Sequence, residues 1–426
     1  LGPSVLIVGG GAREHALARA LTRSPERPRL HAAPGNPGIG QLAERHDVPV
    51  ADVPGQVALA RRVGADLVVI GPEAPLVAGL ADALAEAGIA CFGPSAAAAA
   101  LEGSKAFCKE VMAAAGVPTA AHTVVRTVET GMDAIGGRYP AVIKADGLAA
   151  GKGVVIATDA EQARSALEDF LVHGRFGTTR VVIEEHLAGQ ECSLFALCDG
   201  QRAVPLASAQ DFKRIHDGDE GPNTGGMGSY SPMPAIGPAA AAAICAEVHQ
   251  PVVTEMRRRG TPFRGLLYAG LMLGDGGPKV IEFNARFGDP ETQAILPRLR
   301  SDLLALLRAA AVDGGLAGVT LEWDPRPAVT VVLASAGYPV ASAPPELIGD
   351  LPDLGEDVIV THAGTALDAQ GRLVTAGGRV LSVTALGEDL AAARSSAYAA
   401  AEMISFRGRQ MRRDIAAGVT ACTSPS

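Results

Sequence analysis

The sequence predicts a multidomain α/β protein with three parts. These are a doubly wound parallel sheet at the N-terminus, a central mixed domain with a glycine-rich lid, and a small C-terminal α+β domain. Three observations carry that expectation. From Ser4 to Phe92, apolar runs alternate with helical patterns, and each run ends in a loop rich in Gly, Pro, Asn or Glu. Alternation of this kind builds parallel sheets. A lysine–glycine segment between two short strand patterns follows at 144–153. Finally, 426 residues with 48% hydrophobic and 19% charged content exceed one ordinary domain and can fill several cores.

Taken in order, Ser4–Gly9 reads as a strand, Gly10-Gly11 as a turn and Ala12–Leu21 as a helix. Later apolar runs end at Ala33-Pro34-Gly35-Asn36, Ile70-Gly71-Pro72-Glu73 and Phe92-Gly93-Pro94, with the clearest intervening helix over 76–87. Ligands of such sheets bind at the carboxyl ends of the strands, where these loops fall. Past Gly103, a helix over 104–115 leads to a hinge at Gly116-Val117-Pro118. The small mixed domain beyond it has strands at Ala141–Ala145, 154–158 and Val181–Glu185, with a helix over 160–172. Strands are expected at 192–198, 266–273 and 280–283, and a long polar loop without regular structure at 211–234. Such a loop inside a compact domain is usually functional. A third unit begins after Trp323-Asp324-Pro325, with strands over 329–334 and 380–383 and a helix at Leu390–Met403. The domains are therefore placed at 1–103, 104–324 (lid about 119–189) and 325–426, and the alanine runs at 96–100 and 239–243 read as helical.

Composition excludes several function classes. A net charge of -9 and 4% aromatic residues give neither the cations nor the stacking platforms of a nucleic-acid binder. No apolar run approaches the roughly 18–20 residues that span a bilayer, so no membrane role is expected. Cys91, Cys108, Cys192, Cys198, Cys245 and Cys422 lack C-x-x-C pairing, as in a reduced cytoplasmic protein. Leu1-Gly2-Pro3, without an initiator methionine, is expected to be a tag remnant and is set aside. The oligomeric state is left open, a monomer being compatible with every motif.

The first glycine loop invites a dinucleotide reading that its neighbours refuse. The third glycine of G-x-G-x-x-G would fall at Glu14, and the second strand ends at Pro34-Gly35-Asn36 without a ribose-gripping acid. What remains is a tight turn or a helix N-terminus suited to phosphate. A stronger signal is Lys144-Ala145-Asp146-Gly147-Leu148-Ala149-Ala150-Gly151-Lys152-Gly153. It is no Walker A loop, since Asp146 stands where glycine is required and Gly153 where Ser or Thr is. Glycines at 147, 151 and 153 let backbone N–H groups reach phosphate oxygens, and two lysines supply charge. Lysine usage points the same way. Only six of the 37 basic residues are lysines, leaving 31 arginines. Lys144 and Lys152 are singled out by the glycines between them, whereas Lys109 and Lys279 read as surface residues.

Glu184-Glu185-His186-Leu187, with Glu191 beyond, follows a strand whose end suits the backbone of a purine site and a carboxylate on a ribose, although alone the segment reads as a solvated acidic turn. In Ile281-Glu282-Phe283-Asn284, Glu282 and Asn284 share one strand face. A carboxylate and an amide oxygen are hard ligands suited to Mg²⁺ (or Mn²⁺).

These segments, in this order, resemble the ATP-grasp superfamily, and within it the phosphoribosylamine–glycine ligase family. The resemblance is carried by Gly11-Ala12-Arg13-Glu14-His15-Ala16, Pro34-Gly35-Asn36, Gly71-Pro72-Glu73-Ala74-Pro75-Leu76 and Leu101-Glu102-Gly103-Ser104-Lys105-Ala106-Phe107. It continues through the lysine–glycine loop, Gly221-Pro222-Asn223-Thr224-Gly225-Gly226-Met227-Gly228 and Arg286-Phe287-Gly288-Asp289-Pro290-Glu291-Thr292-Gln293. His362-Ala363-Gly364-Thr365 and Gly377-Gly378-Arg379-Val380-Leu381 extend it into the third unit, while His186 and Ala285 are small departures.

The resemblance implies a central ATP-grasp fold and ATP-dependent ligation of glycine to 5-phosphoribosylamine, through glycyl phosphate, in purine synthesis. ATP would meet Lys105, Lys144, Gly147, Gly151, Lys152, Gly153, Glu184, Glu185, Leu187 and Glu191. Glu282 and Asn284 would hold the metal. Arg286, Asp289 and Lys152 would serve catalysis, Arg286 on the transferring phosphoryl group or the glycine carboxylate. Arg13, Glu14, Asn36 and Glu73, with Asp211, Lys213, Asn223, Thr224, Gly225 and Gly226, would receive the small substrates. Asp211 and Lys213 also fit a structural ion pair. Two alternatives stand beside this: another carboxylate–amine ligase of the superfamily, and a non-catalytic ATP sensor.

Overall fold

The computed structural model describes residues 2–149, 153–341, 343–352 and 354–419. The N-terminal sheet is all parallel, in the order Glu44–Arg45, Arg29–Pro34, Ser4–Gly9, Leu67–Ile70, Cys91–Phe92. Its central strand is buried on both faces. Val5 and Ile7 enter one core while Leu6 and Val8 enter another, which is why the strand reads as an unbroken apolar run. The core holding Val5 and Ile7 also contains Phe287, Ile295, Leu303 and Leu307, so the first sheet is fused to the central domain by shared packing.

The lid is a separate antiparallel sheet in the order His122–Val125, Val181–Glu185, Ala141–Ala145, Val154–Ala157. Helices Val128–Ile135 and Ala160–Leu171 pack on it around Ile143, Leu167, Phe170 and Val181, a core of its own. The central sheet runs Ala203–Pro205, Gln190–Asp199, Arg264–Gly274, Gly277–Asn284, all antiparallel. A third sheet, also antiparallel, runs Gln210–Asp211, Gly228–Ser231, Ala328–Ala334, Arg379–Leu386, Val358–His362, with helix Leu390–Met403 against it. Among the described residues, no helix is long and apolar enough to cross a membrane. Five cysteines there are free, all but Cys91 buried.

Two expectations are corrected. The helix over 76–87 is two helices, Glu73–Val77 and Leu80–Glu86, because Gly79 turns left-handed (φ 87°) between them. The polar loop over 211–234 is not structureless. It forms a small hairpin, Arg214–His216 with Glu220–Asn223, and its ends join the third sheet as short strands. These strands are two to four residues long and polar, so they carry no hydrophobic alternation to read.

Candidate active site

The site begins where the first sheet ends. Ala12–Leu21 starts at Gly11, whose N–H donates to Glu14 Oε2 at 2.6 Å, so the helix caps itself with its own carboxylate. That favours the tight-turn reading of the first glycine loop over phosphate binding. Glu14 Oε1 takes Arg13 Nε at 2.6 Å, and Arg13 Nη1 reaches Phe287 O at 3.1 Å. A Cβ at Gly71, just past the strand Leu67–Ile70, would lie 1.9 Å from Glu14 Oε1, so a side chain there would displace the Glu14 carboxylate. Asn36 donates to Gly10 O and His362 O at 2.9 and 2.8 Å and accepts from Ile39 N. Its amide therefore ties two loops and the third sheet together.

Arg286 is the hub. Its guanidinium meets Glu73 Oε2 at 3.2 Å, Glu102 Oε1 at 3.1 Å, Phe287 O at 3.3 Å and Asn284 Oδ1 at 3.5 Å. Burial opposes its charge, but Glu102 and Glu73 hold its pKa above the ordinary value. Burial would raise Glu73, yet Arg286 and Arg13 keep its pKa low. Burial likewise opposes the charge of Asp289, which is held low by Arg379 (3.2 Å) and Arg13 and is bonded by Gln293 at 2.7 Å. Arg379 Nη1 also donates to Gly225 O at 2.5 Å and Asp289 O at 2.8 Å. Gly226, at φ 105°, has no room for a side chain, because a Cβ would meet Pro290 Cδ at 2.4 Å. Thr224 closes the same loop, its Oγ1 donating to Lys213 O and accepting from Gly226 N. Asn223 lies opposite Arg214 in the hairpin.

Glu282 and Asn284 end the strand Gly277–Asn284 on one face, as expected. Burial would raise the Glu282 pKa, but Lys213, Lys144, Lys105 and Arg286 together hold it below the usual value. No side chain among the described residues hydrogen-bonds or ion-pairs with its carboxylate. An unpartnered carboxylate beside an amide oxygen, among four cations, fits a divalent metal shared with phosphates. Lys105 Nζ donates to Gly147 O at 2.9 Å. Asp146 holds Ser104 Oγ at 2.9 Å and Arg180 at 2.6 Å, tying the lid loop to the helix Lys105–Ala115. Gly153 is described, whereas Gly151 and Lys152 lie outside the described residues.

Lys144 turns inward to Glu184 (2.9 Å) and Ile281 O (2.9 Å). Glu184 faces Lys109 as well, at 3.2 Å. Lys109 is thus buried, not the surface residue expected, because helix Lys105–Ala115 turns it under the lid toward Thr119. Glu185 points outward, exposed, and pairs with Lys279 at 3.2 Å. Leu187 lies in the connector to the next strand, whose Glu191 binds Lys213 at 2.8 Å. Burial pushes Asp211 up to about 7 against the opposing Lys213. Lys213 is held well above its ordinary pKa, burial being outweighed by Asp211, Glu191 and Glu282.

Three family models match in succession. They are the phosphoribosylglycinamide synthetase N domain over 3–102, its ATP-grasp (A) domain over 103–292 and its C domain over 328–418. The phosphoribosylamine–glycine ligase of Streptomyces coelicolor is 54% identical over 421 residues, 97% of this chain and 98% of the relative. The chain belongs to the phosphoribosylamine–glycine ligase family. The ligase of Caulobacter vibrioides is 52% identical, covering 97% of each chain. The crystal structure of the Thermotoga maritima ligase superimposes with a TM-score of 0.83 at 36% identity, covering 97% of this chain and 100% of that one. At 19% identity and a TM-score of 0.72, the biotin carboxylase domain of the Hydrogenobacter thermophilus 2-oxoglutarate carboxylase shares the fold, over 96% of this chain and 91% of that one.

Sequence reasoning missed several residues that the structure brings into this cluster. Glu102 binds Arg286 and also accepts from Ala285 N at 2.7 Å. Arg379 reaches the glycine loop from the third sheet. Tyr268 donates to Glu291 Oε1 at 2.8 Å. Glu102, Glu291 and Arg379 lay inside quoted motifs, but their partners are distant in sequence and only the fold pairs them.

Proposed function

We propose that this chain ligates glycine to 5-phosphoribosylamine, with ATP cleaved to ADP and phosphate, as a step of purine synthesis in the cytoplasm. The observation that carries the reading is the unpartnered Glu282 carboxylate beside Asn284, in the field of Lys105, Lys144, Lys213 and Arg286. Cations suit the phosphates, and the two oxygens suit magnesium, with manganese as a substitute. A divalent cation held by Glu282 and Asn284 would supply charge neutralisation to the nucleotide's phosphates.

The protein's own part is positioning. Arg286, fixed by Glu73 and Glu102, presents its remaining face to the transferring phosphoryl group. Asp289 and the carbonyls of the Gly225–Gly226 turn receive the glycine ammonium. The glycine carboxylate attacks the γ-phosphorus, and the bond to ADP breaks. The amine then attacks the carbonyl carbon, and phosphate leaves with a glycine oxygen. Arg13 and Glu73 face phosphoribosylamine, while Glu14 and Asn36 position their loops. Glu184 acts on the nucleotide through Lys144, and the outward strand end at Glu185 and Leu187 offers backbone to adenine. Gly147, Gly151, Lys152 and Gly153 are assigned to the triphosphate. Asp211, Lys213 and Glu191 bridge the metal strand to the glycine loop around Asn223 and Thr224. The units at 1–103, 104–324 and 325–426 each contribute to this cleft.

Turnover with each substrate omitted in turn tests the reading. Phosphate release should require glycine, phosphoribosylamine, ATP and a divalent cation together. Glycine labelled with heavy oxygen in its carboxylate should pass one labelled oxygen into phosphate per product formed. Product without labelled phosphate would rule out the acyl phosphate route, and no turnover with the complete set would rule out the substrate assignment.

A further inference from the structure

A second set of metal-ligating side chains lies at the edge of the N-terminal sheet. There Arg29–Pro34 pairs in parallel with Glu44–Arg45, and His31 stands opposite Glu44. Side chains alternate along a strand, so Glu44 and His46 leave on one face, beside the register partner His31. His46 stays in line because its N–H donates to Ala32 O at 2.8 Å.

The result is a triangle of donor atoms. His31 Nδ1 lies 3.1 Å from His46 Nε2 and 3.4 Å from Glu44 Oε2, whereas His46 Nε2 meets the other carboxylate oxygen, Oε1, at 3.9 Å; one donor atom from each residue lies within 4.8 Å of the other two. Tetrahedral zinc, with ligand bonds of about 2.0–2.1 Å, sets its donor atoms about 3.3–3.4 Å apart. The ring–ring edge and the His31–Glu44 edge fall within about 0.3 Å of that spacing, and the exposed Glu44 side chain has freedom to bring one oxygen within reach of both rings. A hydrogen bond between the two rings would need one N–H and one lone pair, and would leave the carboxylate idle. A cation uses a lone pair from each of the three groups. The imidazoles are shielded, at 10% and 11% side-chain exposure, whereas Glu44 is 68% exposed. Two fixed ligands and one solvent-facing arm leave a fourth position open. Glu44 also lines a cleft of about 580 Å³ with Pro37, Gly40, Leu351 and Leu367, between the first and third units.

We infer that His31, Glu44 and His46 form a binding site for a divalent transition-metal ion of tetrahedral habit, zinc above all, separate from the Glu282–Asn284 pair. Two imidazoles favour zinc over magnesium, whereas Glu282 and Asn284 offer only hard oxygens. Bound zinc would fasten the edge strand to Arg29–Pro34, whose end carries the Gly35–Asn36 loop.

The test is calorimetric titration of the metal-stripped full chain with Zn²⁺ in saturating Mg²⁺. One zinc per chain is expected, with Glu282→Gln binding it as the wild type does. Affinity should fall at least about tenfold in Glu44→Gln, the scale on which even outer-shell partners act. His46→Gln should abolish binding, with its fold checked by circular dichroism. Glu44→Gln changes an exposed side chain and keeps the test decisive should His46→Gln fail to fold. Wild-type affinity in Glu44→Gln, or no zinc bound by the wild type at micromolar concentration, would overturn the site. Cobalt(II) gives a second readout: strong visible bands of a tetrahedral complex support the geometry, and the weak spectrum of an octahedral one refutes it.

Discussion

Replacing Glu184 with glutamine removes the carboxylate that faces two buried lysines, and the consequence can be worked from the geometry. Lys144 lies 2.9 Å and Lys109 3.2 Å from its two oxygens. At an effective dielectric constant of about 20, these contacts are worth about 6 and about 5 kcal/mol in gross Coulomb energy. Desolvation offsets most of that, and removing one partner of a buried pair costs about 3–5 kcal/mol. Lys109 has an escape. Burial already lowers its pKa and Glu184 opposes the shift, so without Glu184 the pKa falls further, and shedding the proton is the route that caps the cost. Deprotonation from the ordinary value of 10.5 costs about 1.4 kcal/mol per pH unit. That caps the penalty at about 4 kcal/mol at pH 7.5 and about 2 kcal/mol at pH 9. In the variant, the unfolded chain binds a proton that the folded chain lacks, so its stability rises with pH toward 10.5. Urea unfolding of wild type and Glu184→Gln at both pH values measures the difference. Equal stability at pH 7.5, or a loss that does not shrink by pH 9, would refute the reasoning.

Other substitutions probe the rest of the site. Glu282→Gln keeps the volume but removes the charge expected to hold the metal, so turnover should fall at least about 100-fold with the fold intact. Wild-type phosphate release in saturating magnesium would contradict it. Arg379→Gln frees Asp289 and the Gly225–Gly226 carbonyls, and should raise KM for glycine about tenfold or more while leaving KM for ATP nearly unchanged. An equal rise in both would place Arg379 outside glycine binding. Burial holds His15 at about 3 and His362 at about 4, below the ordinary 6.5. Below pH 6.5 the unfolded chain gains protons that the folded chain refuses. The stability from each histidine is therefore full above that pH and lost as pH falls, by about 2 kcal/mol each at pH 5. Urea unfolding at pH 7 and pH 5 should show a smaller acid loss in His362→Gln, and an unchanged loss would sink the assignment.

Much of the architecture was legible because local chemistry and tertiary demand agree. Ser4–Gly9 and Ala141–Ala145 are apolar runs that become buried strands, and Leu390–Met403 begins at Asp389, whose side chain accepts from Ala392 N. Glu282 and Asn284 were legible for a similar reason, since strand alternation alone sets them on one face. The inward turn of Lys109 was not. It depends on a lid strand that arrives at Val181–Glu185, far along the chain. Glu14 and Asn36 sit in loops of the kind that bind ligands, yet their polar atoms meet backbone and Arg13. Sequence gives the residue type and the loop, but not whether a neighbouring loop has already satisfied it.

The distribution of packing bears on how such a site can close without losing aim. Arg286, Asn284 and Glu282 stand on the central sheet and its outgoing turn, and the first sheet is bonded to that turn through Arg13 and Glu73. The shared core around Phe287, Ile295 and Val5 makes these two units one packed body. The lid has its own core, and several of its contacts with that body are polar: Lys144 to Ile281 O, Lys109 to Glu184, Asp146 to Ser104 and Lys105 to Gly147 O. Polar contacts can be exchanged for phosphate oxygens at little net change, whereas an apolar interface cannot part without exposing its surface. In the proposed reaction, the groups that align glycine and the γ-phosphorus therefore belong to the stiff half. Lys105 marks the boundary. Its ammonium now rests on the Gly147 carbonyl, and burial lowers its pKa against Glu282. In the proposed reaction a triphosphate entering beside it would offer a charged partner in place of that carbonyl, which would couple nucleotide binding to the lid through one side chain.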